Sequence, residues 1–542
     1  MKDSPDPRPV PAGAPRGLMR AVATVGALTM ASRILGFARD LLIARFLGAG
    51  DAADAYVVAQ FVPNVFRRLF AEGAFSSAFV PMFARLLAGE GAAAARRFAE
   101  DSLAVLLAVL LVVVIGCQLA MDWVIYVIAP GFVAGSEKHA LAVVFTTITM
   151  PYLLFISLVA LGGGVLNSLD RFAAMAATPI LLNLTLLVAL GFVALGLSKA
   201  PGAALSWGWF AAGVVQLAFM LWQSARAGIS LRLSVPRRSA HLARLAKLMM
   251  PAVVANGVVQ INLVVGTMLA STLGTGALAF LYYADRINQL PLGVIGIAIS
   301  TVLLPRLAFD LRRGDAAAAA EQQCRAVEMA LLLSLPAAVG LGVAAWPLIG
   351  VLFERGAFTA RDTDATAQAL TAYAAGLPAF VLVKIWVQGF FAREDTRTPM
   401  VIAFACVSAN VAISVGLMQW LDHVGLAMGT SLSGWLNAVL LAFALHRRGE
   451  LAIDARLRRA VPRIVAASAL TGGATYGLAL ACAPWLAGGG VARAAALVAI
   501  VAGAAGCYAA AALVLGAGRL SDLKAALRRQ RGLPPAPSDP AA

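Results

Sequence analysis

Long apolar runs separated by short polar connections make up most of this chain. A helix that crosses a bilayer needs roughly 20 apolar residues, and on that measure the sequence predicts fourteen membrane-spanning segments. Their approximate centres are residues 33, 62, 114, 153, 184, 214, 257, 292, 337, 378, 409, 434, 472 and 504. Segments 2 and 8 extend further than a bilayer requires, towards Leu87 and Arg313. The pattern therefore predicts an all-α integral membrane protein.

A short internal repeat relates segment 2 to segment 8. Asn64 precedes Pro81 by the same number of residues that separates Asn288 from Pro305, and the offset between the two copies is 224. At this register FSSAFVP aligns with ISTVLLP, and GGGVLNSLDR of segment 4 weakly matches VQGFFAREDT of segment 10. Six helices per repeat is an even number, so both copies enter from the same side. We therefore expect two six-helix lobes in parallel repeat, with a site between them.

The remaining boundaries follow from this repeat. Residues 1–17 are polar and proline-rich, lack the apolar core of a signal peptide, and are expected to be a disordered cytoplasmic leader. Residues 18–228 form the N-lobe with helices 1–6, and residues 229–450 form the C-lobe with helices 7–12. Residues 451–518 hold two extra C-terminal helices, 13 and 14, and residues 519–542 are a cytoplasmic tail.

Composition agrees with a membrane protein and explains most of the positive charge. The chain is 61% hydrophobic and 13% charged, with a mean hydropathy of +0.84 and a net charge of +16. With the amino terminus inside, 31 of the 43 Lys and Arg residues fall on the cytoplasmic side and five on the opposite side. This bias predicts that both termini are cytoplasmic. No soluble basic domain exists that would bind nucleic acid.

Two classes of chemistry are excluded by motif. No GxxxxGK[ST] loop occurs, which argues against a built-in ATPase. The five cysteines and four histidines are scattered without ligand-like spacing, so no metal site is expected.

Seven cations remain inside the predicted segments, where topology does not explain them: Arg33, Arg39, Arg45, Arg67, Arg68, Arg286 and Lys384. The carboxylates in the same segments are Asp40, Asp54, Glu72 and Asp285. A charge at the bilayer centre costs roughly 2.5–3.5 kcal/mol on insertion scales, so such residues face a partner or a wet cavity. The excess of three positive charges favours an anionic guest. Arginine suits phosphate because its planar fork binds two oxygens and never deprotonates.

Individual residues keep alternative interpretations. Arg45 and Arg68 can extend their side chains to the membrane–water interface, and Lys384 can form an ion pair that is purely structural. The four carboxylates, Asp40, Asp54, Glu72 and Asp285, are expected to form ion pairs that gate movement. Three of these pairs are Asp40 with an arginine, Glu72 with Arg68, and Asp285 with a neighbour.

Three stretches identify a family resemblance. SRILGFARD, DAADAYVVAQFVPNVFRRLFAEGAFSSAFVP and YYADRINQLPLGVIGIAISTVLLPRL resemble the MurJ (MviN) family of lipid II flippases, within the multidrug/oligosaccharidyl-lipid/polysaccharide exporter superfamily. The similarity extends from about Leu18 to Leu527. It implies two lobes around a cationic cavity, a lipid-tail groove lined by helices 13 and 14, and alternating-access translocation of the undecaprenyl-diphosphate disaccharide pentapeptide for peptidoglycan synthesis.

The same resemblance implies residue roles and partners. The family's substrate-binding arginines correspond to Arg33, Arg39, Arg67 and Arg286, and its first-lobe acid corresponds to Asp54. The implied partners are lipid II, membrane lipids and the cell wall synthesis machinery, in the bacterial inner membrane. No cofactor is expected; the membrane potential is the expected driving force, and a bound sodium or chloride ion stays open.

Three other functions are alternatives to this one. The first is an exporter of another lipid-linked glycan or of drugs within the same superfamily. The second is a scaffold whose charges only organise helix packing. The third is an enzyme acting on polyprenyl phosphates, which is disfavoured because the membrane segments hold no acid cluster for a metal and no histidine nucleophile.

Overall fold

The computed structural model describes residues 14–68, 75–228, 231–234, 239–451 and 453–517, and in that part of the chain all regular structure is helical. The helices are α1 (Ala14–Leu47), α2 (Asp51–Phe66), α3 (Ser76–Gly89), α4 (Ala92–Leu119), α5 (Met121–Ile128), α6 (Glu137–Thr149), α7 (Tyr152–Asn167), α8 (Phe172–Ala194), α9 (Pro201–Arg226), α10 (Ala240–Ser271), α11 (Ala277–Arg312), α12 (Ala316–Val343), α13 (Ala345–Phe353), α14 (Ala360–Phe391), α15 (Arg397–Arg447), α16 (Ala455–Ala481), α17 (Ala483–Leu486) and α18 (Gly490–Val514).

The predicted all-α membrane fold is confirmed. Each predicted segment centre falls within a helix, and 9 helical stretches of the described chain are long and apolar enough to cross a membrane. Segments 11 and 12 are the two halves of α15, which meet at Asp422, where φ is 51° and ψ is −134°. Segment 8 continues to Arg312, as its length predicted. The description of α1 starts at Ala14. Residues 1–13 of the expected leader and the expected tail, residues 519–542, lie outside the described residues.

The repeat recurs in the helix bounds themselves. α4 and α12 each have 28 residues, and Ala316 and Val343 lie 224 positions after Ala92 and Leu119. The α6–α7 stretch, Glu137–Asn167, corresponds to α14, which begins 223 positions later and ends 224 positions later. The offset seen in two short motifs therefore holds across whole helices.

A turn after α7 and a turn after α14 have the same backbone form. Asp170 and Glu394 are 224 residues apart and both adopt left-handed conformations, with φ of 59° and 61°. The next residue in each turn, Arg171 or Asp395, donates its N–H to the carbonyl five residues earlier at 3.0 Å. This is the ordinary way to satisfy the last carbonyls of a helix. Both repeats therefore end this helix in the same way.

Asp395 also stabilises the start of the following helix. Its carboxylate accepts hydrogen bonds from the N–H and hydroxyl of Thr398, at 3.0 and 2.7 Å, and from Arg448 Nη1 at 2.8 Å. These hydrogen bonds, with the Thr398 N–H first, lower the pKa of Asp395 below its ordinary value.

The lowered pKa gives a pH-dependent contribution to stability. A carboxyl whose pKa is depressed by folding stabilises the protein above its unfolded pKa of about 3.9, and this stabilisation is lost as the pH falls towards the folded pKa. Acidification from pH 7 to pH 3 is expected to lower the thermal midpoint of the detergent-solubilised protein less in Asp395→Asn than in the wild type. Equal acid-induced losses in the two proteins would show that this carboxyl makes no such contribution.

The chain divides into two compact units, Met1–Met268 and Leu269–Ala542. This division falls inside α10, and the expected lobe boundary between residues 228 and 229 stays a prediction. The first part of α10 packs in the first unit, because Leu245 lies in a buried cluster with Phe79, Phe83 and Phe98.

Buried aromatic residues hold the helices of the first unit together. Trp209 on α9 donates its Nε1–H to the hydroxyl of Tyr56 on α2 at 3.0 Å, and its ring meets Tyr152 edge-on at 4.8 Å. This arrangement satisfies the polar ends of both large side chains within the apolar interior.

In the second unit, α18 packs on α12 and α16, and one hydrogen bond fixes this position. Pro336 lies inside α12 and has no N–H, so the carbonyl of Leu332 lacks its usual helical donor. Tyr508 of α18 supplies the missing donor through its hydroxyl at 2.5 Å. The last long helix is therefore attached at a proline-disrupted turn.

Tyr508→Phe is expected to lower the free energy of unfolding by about 1–3 kcal/mol, because the partly buried Leu332 carbonyl loses its donor. Chemical denaturation of the purified protein measures this change. Tyr476→Phe on α16 is the matched control, since Tyr476 is exposed, and it should change stability little. Equal effects of the two substitutions would contradict the assignment.

Candidate functional site: charged residues in the apolar helices

Arg39 and Asp40 form a buried ion pair on α1. The guanidinium of Arg39 donates to Asp40 Oδ1 from both Nε and Nη2, at 3.0 and 2.6 Å. Its Nη1 donates to Oδ1 of Asn183 on α8 at 2.9 Å. Only 7% of Arg39 and 3% of Asp40 are exposed. The charge of this arginine is therefore compensated within the first unit.

Asn183 joins α1 to α8 through a second contact. Its Nδ2 donates to the backbone carbonyl of Ser32 at 2.9 Å. Gly36 lies one turn further along α1, and a Cβ at this position would lie 3.4 Å from Asn183 Nδ2. This distance is an ordinary van der Waals contact, so Gly36 lies directly beside the amide. Asn183 thereby holds Arg39 in place while binding the backbone next to Arg33.

Arg33 differs from Arg39 in its surroundings. It lies on α1 and is exposed, and within the described part of the chain no hydrogen bond or ion pair involves its side chain. Arg45, further along the same helix, is also exposed, and its guanidinium lies 5.6 Å from the ring centre of its neighbour Phe46. Arg33 thus offers an uncompensated charge on an apolar helix.

Asp54 is the most deeply buried of the predicted carboxylates that the structure describes, with 1% of its surface exposed. It accepts a hydrogen bond from Nζ of Lys138 on α6 at 2.5 Å, and Asp51 lies 3.5 Å from the same ammonium. The ammonium also lies 4.7 Å from the ring centre of Phe132. A cation in the first turn of a helix is unfavourable for the helix dipole, and the two carboxylates offset this at α6.

Arg67 follows the end of α2, and its Nε donates to Oδ1 of Asn64 at 3.1 Å. Arg67 is partly buried, Arg68 is exposed, and both lie in a wider, π-helical turn. Such turns frequently occur at functional sites. Glu72, the expected partner of Arg68, lies outside the described residues.

In the second unit, Arg286 lies against an aromatic side chain of its own helix. The guanidinium carbon is 4.8 Å from the ring centre of Tyr282, and Nη2 donates to the Tyr282 hydroxyl at 3.1 Å. Asp285 accepts a hydrogen bond from Gln289, one turn further along α11. The ring orients the arginine without neutralising its charge.

Lys384 packs closely against the backbone of α11. A Cβ at Gly296 would lie 2.9 Å from its Cδ and 3.0 Å from its Nζ. Glycine therefore leaves the space that the lysine side chain occupies. This position agrees with a packing role for Lys384 in the second unit.

The sequence interpretation missed three of these partners: Lys138, Asn183 and Tyr282. Lys138 was assigned to the aqueous side by the positive-inside rule, and Asn183 is a single amide in the long apolar helix α8. A polar residue within an apolar run was the only available signal for Asn183. Among the described residues, no group of three or more His, Cys, Asp or Glu side chains is placed to hold a metal ion.

The sequence matches a known family model over most of its length. The model of the family described as "Lipid II flippase MurJ" matches residues 43–494. A probable lipid II flippase MurJ from Rhizobium meliloti (strain 1021) is 46% identical over 463 residues, covering 85% of this chain and 86% of the relative. One from Vibrio cholerae serotype O1 is 36% identical over 522 residues, covering 94% and 98%.

Solved structures agree on the fold. A structure described as "Lipid II flippase MurJ, inward closed conformation" aligns with a TM-score of 0.75 at 23% identity, covering 94% of this chain and 99% of that one. An inward-facing multidrug resistance MATE transporter of the MOP superfamily aligns with a TM-score of 0.67 at 15% identity, covering 81% and 99%. From the family match and these sequence relatives, the chain belongs to the MurJ family of lipid II flippases.

Proposed function

We propose that this chain translocates lipid II, the lipid-linked precursor of peptidoglycan, from the cytoplasmic to the outer leaflet of the membrane. Membership of the MurJ family carries this proposal, and the uncompensated Arg33 on an apolar helix supports it. The transport requires no nucleotide hydrolysis by the chain itself, and the chain acts as a transporter rather than an enzyme.

The diphosphate of the substrate is the group that arginines would bind. Guanidinium groups form paired, charge-assisted hydrogen bonds with phosphate oxygens. Arg33 is exposed and available for such bonds, Arg67 is held by Asn64, and Arg286 is oriented by Tyr282. We assign these three arginines to diphosphate binding.

Arg39 belongs to the same proposal with a different role. Its guanidinium is bound by Asp40 and Asn183. Its contribution to substrate binding is therefore to hold in position the part of α1 that carries Arg33. Asp40, Asp54, Glu72 and Asp285 are the proposed gating residues. Their ion pairs would form and break as the protein changes conformation.

The membrane potential is the driving force that this charge distribution suggests. Moving one elementary charge through 100 mV corresponds to about 2.3 kcal/mol. The charge of Arg33 on the empty carrier would respond to the potential when the protein resets. A bound sodium or chloride ion is a further candidate for coupling.

The proposed setting is the bacterial inner membrane, with both termini in the cytoplasm. The surplus of Lys and Arg on the expected cytoplasmic side supports this orientation. We propose that α16 and α18, within the C-terminal segment 451–518, line a groove for the lipid tail, since their outer faces are rich in exposed apolar side chains. Anionic membrane lipids and the cell wall synthesis machinery are the proposed partners.

Export of drugs or of another lipid-linked glycan is not favoured. The similarity to MATE transporters is 15% in sequence and concerns the fold alone, whereas the sequence relatives carry the flippase name.

The function is tested in bacterial cells depleted of this protein and complemented with its gene. The amount of lipid II that a membrane-impermeant reagent reaches at the outer surface should fall on depletion and recover on complementation. Recovery of growth without recovery of outer-leaflet lipid II would overturn the proposal.

A further inference from the structure

A proline near the end of α2 interrupts the hydrogen bonding of this helix. Pro63 lies inside this helix, and because proline has no N–H, the carbonyl of Ala59 loses its intrahelical donor. Ala59 is 0% exposed, so water does not reach the residue. A buried carbonyl left without a donor costs about 1–3 kcal/mol. The turn from Ala59 to Pro63 is therefore stable only if another group donates a hydrogen bond.

Thr149, the last residue of α6, is that donor. Its Oγ1 lies 2.7 Å from the carbonyl oxygen of Ala59, across the contact between α6 and α2. The hydroxyl also lies 3.2 Å from the carbonyl of Thr146 in its own helix. A hydroxyl carries one proton, and the shorter distance assigns it to Ala59. Thr149 is 0% exposed, so this bond is shielded from solvent.

Pro63 separates the longer first part of α2 from its last three residues. The part before Pro63 is fixed to other helices by the Asp54–Lys138 ion pair and by the Tyr56–Trp209 hydrogen bond. The short part after Pro63 leads within four residues to Arg67 and the π-helical turn. The direction of the chain at Arg67 therefore depends on the geometry at Pro63.

We propose that the Thr149 hydroxyl is the latch of a proline hinge in α2 and a positioning residue for Arg67. While the Thr149–Ala59 hydrogen bond is formed, the hinge is held in the observed geometry. When it breaks, α2 can bend about Pro63 and move Arg67. The consequence for substrate binding rests on the proposed function, whereas the hinge itself does not.

The central test is a mutant cycle read by hydrogen exchange of backbone amides in the purified full-length protein. Thr149→Val keeps the shape of the side chain and removes the hydroxyl. We expect exchange of the amides from Asn64 to Arg67 to become about three- to tenfold faster, in line with the loss of one hydrogen bond. Exchange in α8 should stay unchanged, which separates a local hinge from general destabilisation.

Two further variants make the test specific. In Pro63→Ala the new N–H can donate to the Ala59 carbonyl, so adding Thr149→Val should produce no further acceleration. Thr149→Ser retains the hydroxyl and should behave as the wild type. Thr146→Val is the matched control, because Thr146 is also 0% exposed on α6 and its hydroxyl has no hydrogen-bond partner among the described residues.

The positioning role has its own measurement. Binding of lipid II to the purified protein should weaken about three- to tenfold in Thr149→Val, and should be retained in Thr149→Ser and Thr146→Val. The latch would be overturned if Thr149→Val accelerated hydrogen exchange equally in the presence and in the absence of Pro63. It would also be overturned if Thr146→Val had the same effect on exchange as Thr149→Val. Altered exchange with unchanged lipid II binding would overturn the role at Arg67.

Discussion

Replacing Arg33 by alanine is expected to lower the rate of lipid II translocation about 10- to 100-fold. A hydrogen bond to a charged group contributes about 1.5–3 kcal/mol, and each 1.4 kcal/mol is a factor of ten. Arg33 is exposed on an apolar helix and has no partner among the described residues, so its removal breaks no internal contact. The loss should therefore appear in transport and not in the stability of the protein.

Arg45→Ala is the matched control for this variant. Arg45 lies on the same helix and is also exposed. The described contact of its side chain is with the ring of Phe46. Its replacement should leave the translocation rate within about twofold of the wild type. Arg33→Lys keeps the charge but not the planar fork, and an intermediate rate is expected. Full activity of Arg33→Ala, or an equal loss in Arg45→Ala, would contradict the assignment.

Breaking the Asp54–Lys138 pair is expected to have the largest effect on stability. Lys138→Met removes the cation that lies 2.5 Å from a carboxylate with 1% exposure. Removing one partner of a buried ion pair destabilises a protein by about 3–5 kcal/mol, because the other charge stays buried. The free energy of unfolding of the purified protein, measured by chemical denaturation, should fall by this amount.

The double variant Asp54→Asn with Lys138→Met separates the pair from its two members. Because it removes both charges, it should lose less stability than the sum of the single variants. Asp51→Asn is the control: Asp51 lies 3.5 Å from the same ammonium with 49% of its side chain exposed, so its loss should stay below about 1 kcal/mol. Additive single effects would show that the two charges do not stabilise one another.

Much of the fold was predictable because it depends on hydrophobicity and spacing. The lengths of the apolar runs located the helices, including the long α11. The offset between Asn64 and Asn288 predicted a repeat that extends through the bounds of α4 and α12. These features follow from local sequence and bilayer thickness, which a single chain is sufficient to show.

The partners of the charged residues were less predictable. Arg33 and Asp40 lie seven residues apart on one helical face, yet Asp40 pairs with the adjacent Arg39, whose long side chain can fold back to it. Asn183 and Lys138 contact residues more than 80 positions away in sequence. Such contacts depend on which helices become neighbours, and that information is absent from the spacing within any one helix.

The hydroxyl groups that bond to the carbonyls at the proline turns were also not predictable from the sequence. Pro63 and Pro336 are visible in the sequence as helix-interrupting residues, and each releases a carbonyl at a known position. The donors, Thr149 and Tyr508, are identified only once the helices are placed together.

The most direct test of the account is translocation of labelled lipid II by the purified protein in liposomes. Lipid II on the inner leaflet should become accessible to a membrane-impermeant reagent faster than in protein-free liposomes, and Arg33→Ala should abolish most of this gain. The proposed function would be contradicted if liposomes with folded, inserted wild-type protein showed the same lipid II accessibility as protein-free liposomes.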